Sequence, residues 1–172
     1  NKVGSEVSVG RSIGMKDETA ARCFATHNLT LSLMISLVWA SILFFFSVPI
    51  VDFYELKSHI ADNAVNYLRI VSTAFPFVFM SAAATGIFNA SGRSKIPFTI
   101  NGIGLAINMI LDPLFIFVFD WKTDGAAWAT WIAQACVFFF FVYQLKYKQI
   151  LWEEFRFFGK LKRIYTIRII KI

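Results

Sequence analysis

Four stretches of this chain are each long and apolar enough to cross the hydrocarbon core of a bilayer, which takes about 20 residues. Leu29 to Val51, Ile70 to Ala90 and Gly125 to Leu145 carry no charged residue, and Ile96 to Phe119 carries only Asp112. Inside lipid every backbone N–H and C=O needs an internal partner, which leaves helices and closed barrels. The two-residue alternation of a barrel strand is missing, so each stretch reads as a helix. The expected fold is all-α, a polytopic integral membrane helix bundle with four complete transmembrane helices. A hydrophobic share of 57%, 20 Phe and a mean hydropathy of +0.59 agree with lipid as the solvent.

The flanks read as parts of further elements. NKVGSEVSVGRSIG resembles the last turns of a preceding helix that ends at Gly14, a residue suited to a helix C-terminus. IRIIKI leads into a following apolar segment, and the start lacks the pattern of a signal peptide. Residues 1–145 form the membrane unit, and 146–172 a basic amphipathic tail, expected along the inner headgroup layer on its way to the next helix.

Charge gives the orientation. Residues 1–26, 91–95 and 146–172 hold 14 of the 17 Lys and Arg, whereas the remaining connectors hold only Lys57 and Lys122, with Arg69 at a helix edge. The positive-inside rule puts the first group in the cytoplasm. That one-sided clustering explains the net charge of +6 without a nucleic-acid partner.

Several motifs carry no chemistry. Cys23 and Cys136 differ in depth and compartment, which argues against a disulfide, and His27 and His59 have no acidic or Cys neighbours at zinc-ligand spacing. Asn28-Leu-Thr and Asn89-Ala-Ser match the glycosylation pattern but fall at cytoplasmic helix ends. The glycines lack phosphate-loop spacing, and no nucleophile–base set stands out. The chain does not read as an enzyme and implies no cofactor.

Asp112 is different. At about 1.5 Å per residue it lies roughly 10 Å from the outer end of its helix at Phe119, and Asn108 roughly 16 Å. Thr130 lies roughly 8 Å into the next helix, and the connector Asp120 to Asp124 makes the two helices antiparallel neighbours. Carboxylate, amide and hydroxyl thus converge at one depth, a set suited to Na⁺ or another small hard cation, or to a proton held on the acid. A charge in the bilayer core costs about 2.5 to 3.5 kcal/mol on insertion scales, which demands a compensating role. The competing reading makes Asp112 an N-cap, with Pro113 in the first position of a short outer half-helix. Both readings kink the helix at Pro113.

Other polar and aromatic positions rank lower. Gln134, one turn beyond Thr130, is a candidate cavity-lining residue or an interhelical hydrogen-bonding group. Pro76, mid-span, reads as a hinge or a cavity wall. Trp131, with Trp128, offers stacking for a cationic solute or anchors the helix at the interface. Lys2 and Glu6 have the spacing of a helical ion pair.

The run GRSKIPFTINGIGLAINMILDPLFIFVF followed by DGAAWATWIAQ resembles the fifth and sixth helices of the multidrug and toxic compound extrusion (MATE) family, and VGRSIGMKDETAA resembles the end of its second helix. The resemblance implies a twelve-helix transporter of two six-helix lobes. This chain would supply the amino-terminal lobe from the end of helix two through helix six within 1–145, and the interlobe linker in 146–172. It also implies a secondary active antiporter in the plasma membrane, or the inner membrane of a bacterium, which exports small organic cations in exchange for Na⁺ or H⁺. Its partners would be the carboxy-terminal lobe and membrane lipid. The family's cation site, completed by an acid on helix one, matches Asn108, Asp112 and Thr130. Two rivals remain: a lipid-linked saccharide flippase of the same superfamily, which would want a basic cavity, and a non-transporting membrane scaffold in which the polar trio is packing glue.

Overall fold

The computed structural model describes residues 2–146, so the expected linker at 146–172 falls almost wholly outside the described residues. Helix α1 spans Lys2–Gly14, α2 Glu18–Phe45, α3 Ser47–Asp52, α4 Ser58–Ala90, α5 Lys95–Pro113 and α6 Lys122–Lys146, with a π-helical segment over Leu114–Val118. Every described regular element is helical, and α2, α4, α5 with its π extension, and α6 are long and apolar enough to cross a membrane.

The helix boundaries have local causes. Asp17 begins α2 as its N-cap: Oδ1 accepts from the Ala20 N–H at 2.9 Å and from the Thr19 hydroxyl at 2.7 Å. These bonds, the Ala20 one foremost, hold its carboxyl below the usual aspartate value. Helix α1 ends at Gly14 as expected, yet the left-handed residue its cap requires is Lys16, at φ 59°. The Asp17 N–H then reaches back to the Ser12 carbonyl and the Lys16 N–H to Ile13. At the end of α4 Gly92 takes that position at φ 71°, with Arg93 N–H on Phe88 and Gly92 N–H on Asn89.

Two expected spans differ from those observed. The stretch Leu29 to Val51 is broken at Phe46, and α3 is a separate short helix. Pro49 has no N–H to offer the Phe45 carbonyl, and its ring crowds that oxygen, so the chain restarts with the proline in a first turn. The second span is longer than its charge-free part: α4 runs outward through Arg69 and Asp62 to Ser58. Arg69 is accommodated because its Nε donates to Ser47 Oγ at 2.9 Å and its guanidinium lies over the Phe44 ring at 5.9 Å.

Helix α4 is the centre of the bundle, packed by α1, α2 and α6, while α5 rests on α6. The apolar core joins Val9 of α1, Ala25 and Leu29 of α2, Ala83, Ile87 and Phe88 of α4, and Val137, Phe141 and Leu145 of α6. All of these lie toward the end where α1 finishes and α4 turns into α5. Small residues permit that close approach: Ala21, Ala25, Ala83 and Ala84 are buried on facing helices, and Ala90 Cβ sits 3.8 Å from where a Cβ on Gly10 would be. Buried Ser12, Ser36 and Ser72 bond carbonyls of their own helices, and Ser47 of α3 reaches back to the Phe44 carbonyl of α2, which removes the penalty of an unpaired hydroxyl. Toward the other end large apolar side chains such as Leu37, Phe45, Phe53 and Phe117 stand exposed, as expected of lipid-facing surface.

Candidate functional site

Asp112 and Asn108 are one turn apart on α5, and the four-residue spacing brings their side chains together: Asn108 Nδ2 donates to Asp112 Oδ1 at 3.3 Å. Both are half-buried. Asp112 does not cap a new helix. Helix α5 continues through it to Pro113, and the segment that follows has no side-chain cap. The break takes another form. Pro113 lacks an N–H and crowds the Met109 carbonyl, and the chain beyond widens into π winding, with the Phe119 N–H on the Leu114 carbonyl five residues back.

Helix α6 brings Thr130 and Gln134 to the same place. Asn108, Thr130 and Gln134 line a cavity of about 170 Å³ between α5 and α6, together with Asn101. Its floor is the tightest part of the helix contact: a Cβ on Gly104 would overlap Val137 Cγ2. The antiparallel pairing is fixed at its other end by Gly125, whose position for a Cβ lies 2.8 Å from the Phe115 carbonyl carbon and oxygen. Asp112 is outside the cavity lining and is joined to it through Asn108. The arrangement is one acid, two carboxamides and a hydroxyl gathered on one α5–α6 contact, with a third carboxamide, Asn101, beyond them. Such a set of oxygen donors suits a small hard cation or a proton with water, and no ligand set of three or more His, Cys, Asp or Glu groups occurs among the described residues.

Pro76 and Trp131 do not line this cavity. Trp131 belongs to the α4–α6 contact, where it meets Phe77 edge-on at 5.3 Å, and it also meets Trp128 of its own helix at 5.9 Å; Pro76 lies within α4, which continues through it. The side chain of Lys2, and with it the Lys2–Glu6 pair, lies outside the described residues. Glu6 accepts from Asn89 Nδ2 at 2.8 Å, which joins α1 to α4. Asn28 is fully buried and Asn89 is engaged in this bond, so neither presents a free amide for glycosylation. Cys23 and Cys136 are free thiols, and His27 turns Nδ1 to the Cys23 carbonyl at 2.8 Å.

Asn101 is the polar residue of the lining that the sequence did not single out. Its signal was present: it stands seven residues before Asn108, two helical turns along the same face.

Comparison with known proteins places this geometry in context. The MatE family model matches residues 2–114. The Probable multidrug resistance protein YoeA of Bacillus subtilis (strain 168) is 29% identical over 139 residues, covering 78% of this chain and 30% of its own length. The multidrug export protein MepA of Staphylococcus aureus (strain bovine RF122 / ET3-1) is 25% identical over 150 residues, covering 87% of this chain and 33% of its own. The chain thus spans about a third of the curated relatives it matches. Among solved structures, the inward-facing conformation of a multidrug resistance MATE family transporter of the MOP superfamily superposes with a TM-score of 0.91 at 23% identity, over 99% of this chain and 39% of that one. A MOP superfamily transporter from Pyrococcus furiosus superposes with a TM-score of 0.90 at 22% identity, over 99% and 38%.

Proposed function

This chain belongs to the MatE family, that of the multidrug and toxic compound extrusion transporters, and from that membership we propose that it forms most of the amino-terminal lobe of an antiporter that exports organic cations in exchange for Na⁺ or H⁺. The observation that carries the reading is Asp112, a carboxylate on a membrane-spanning helix, held by Asn108 at 3.3 Å beside a polar cavity that also contains Thr130. An acid at such a depth is expensive, and ionisable side chains inside a membrane characteristically mark ion or proton pathways.

Asp112 does its work by linkage. Na⁺ or a proton bound there neutralises the charge and changes the relative stability of inward-open and outward-open packings. A cationic solute that favours one packing is then coupled to the ion that favours the other, and the coupling is reciprocal. Asn108 orients the carboxylate, and its amide oxygen and the Thr130 hydroxyl are the neutral donors available to a bound cation. The π winding after Pro113 places the acid next to backbone that is already out of α register, a natural point for the helix to change shape. The site would sit in a plasma membrane, with the ends of α1 and α4 toward the cytoplasm by the positive-inside rule.

The test is efflux of a fluorescent organic cation from vesicles containing the complete transporter, with Na⁺ and pH gradients imposed separately. Asp112→Asn keeps the shape and the bond to Asn108 but removes the charge. It is expected to abolish gradient-driven efflux at matched expression, and the gradient that drives the wild type names the ion. Full activity in Asp112→Asn would refute the assignment.

A further inference from the structure

The cavity between α5 and α6 lies to one side of Asp112. Asn101 is eleven residues before the acid on α5, about 16 Å closer to the end at which that helix begins. Gln134 faces the interval between Asn101 and Asn108 from α6, because the contacts of Gly125 with Phe115 and of Gly104 with Ala133 and Val137 fix the antiparallel register. A row of neutral polar groups therefore leads from an exposed position at Asn101, past Gln134, to Thr130 and Asn108, and through Asn108 to the carboxylate. Among the described residues, no carboxylate or cationic side chain belongs to the lining.

Size decides what this space can hold. Organic ligands occupy pockets of about 300–1,000 Å³, and 170 Å³ is too small for a drug-sized solute. It has room for several water molecules or one partly hydrated cation, and its polar lining offers the partners that buried water needs. A dry apolar wall would have sufficed to pack two helices.

We propose that the α5–α6 cavity is a hydrated passage between Asp112 and the side of the membrane on which α5 begins, in which Asn101 and Gln134 are positioning groups that replace part of the hydration shell of the coupling cation in transit. The proposal rests on the reading of Asp112 as the coupling acid. The positive-inside rule makes that side the cytoplasm, so the passage serves release of the ion to, or capture from, the inner face. The two carboxamides do not hold the ion at equilibrium; they lower the barrier between water and the acid.

The experiment compares the complete wild-type transporter with Asn101→Leu, Gln134→Leu, Gln134→Glu and Asp112→Asn in proteoliposomes. The driving cation, Na⁺ or H⁺ as the wild type requires, is varied on each side in turn. Asn101→Leu and Gln134→Leu are expected to lower turnover by about tenfold, the size of one lost hydrogen bond to a charged group. The loss should appear in the dependence on cation at the α5-start side, with half-saturation from the opposite side unchanged. Gln134→Glu should move the half-saturating concentration on that side downward, opposite to the leucine variants; a purely structural role would make all three slow and unsided. Wild-type rates and sidedness in the two leucine variants beside an inactive Asp112→Asn would overturn the passage alone. Wild-type coupling in Asp112→Asn would overturn the reading of the acid and the passage with it.

Discussion

Gly104 and Gly125 set how closely α6 lies on α5, and the atoms that face them differ in their ability to yield. The obstacle at Gly104 is a methyl group of Val137, a side chain stiff at χ1 but able to shift; at Gly125 it is the Phe115 carbonyl, fixed in the backbone. Overpacking costs about 1–3 kcal/mol. Gly125→Ala should fall at the upper end and Gly104→Ala at the lower, read as a larger fall in melting temperature for Gly125→Ala in the detergent-solubilised transporter. Equal, negligible shifts would show that the two helices separate freely. The polar trio was legible because the four-residue spacing on α5 and the short connector to α6 appear in the sequence itself. The restriction at Gly104 was not, since it depends on Val137 standing opposite.

Among the elements, α2 shows how a cap translates into pH dependence. The Asp17 carboxyl is held below its ordinary value by the Ala20 N–H and the Thr19 hydroxyl, so its contribution is present above the ordinary aspartate range and is lost as pH falls through the lowered value. Protection of the amides of residues 18–21, taken relative to the intrinsic exchange rate at each pH, should therefore fall at acid pH in the wild type and be low at neutral pH in Asp17→Ala. Protection that is insensitive to both changes would show that packing against α1 and α4 alone fixes this end. The start of α2 eleven residues before its apolar stretch was hidden because hydropathy records where lipid begins, whereas caps record where the helix does. Pro49 was visible as a residue, but that it would end α2 at Phe45 and begin α3 depends on which carbonyl it crowds.

At the level of the whole chain, the four long apolar helices follow from apolar run length, a property of sequence read against a bilayer. Which helix is central does not follow, because apolarity inside a membrane marks lipid contact and core alike. The distinction rests on the small residues Ala83 and Ala84 of α4 and the serines around them, which let α1 and α2 come close. Helix α4 covers 33 residues, about 50 Å, and exceeds the roughly 30 Å hydrocarbon thickness. Its Ala90 end is gripped by the core and by the Glu6–Asn89 bond, and its Ser58 end is not. Mechanically that makes α4 a lever with its fulcrum at the end where α1 finishes: a slight rocking there becomes a wide sweep at the far tip. Spin labels near Ser58 and Phe45 should accordingly report a broader spread of distances than labels near Gly14 and Ala90, and equal spreads would mean that the lobe moves as a rigid block.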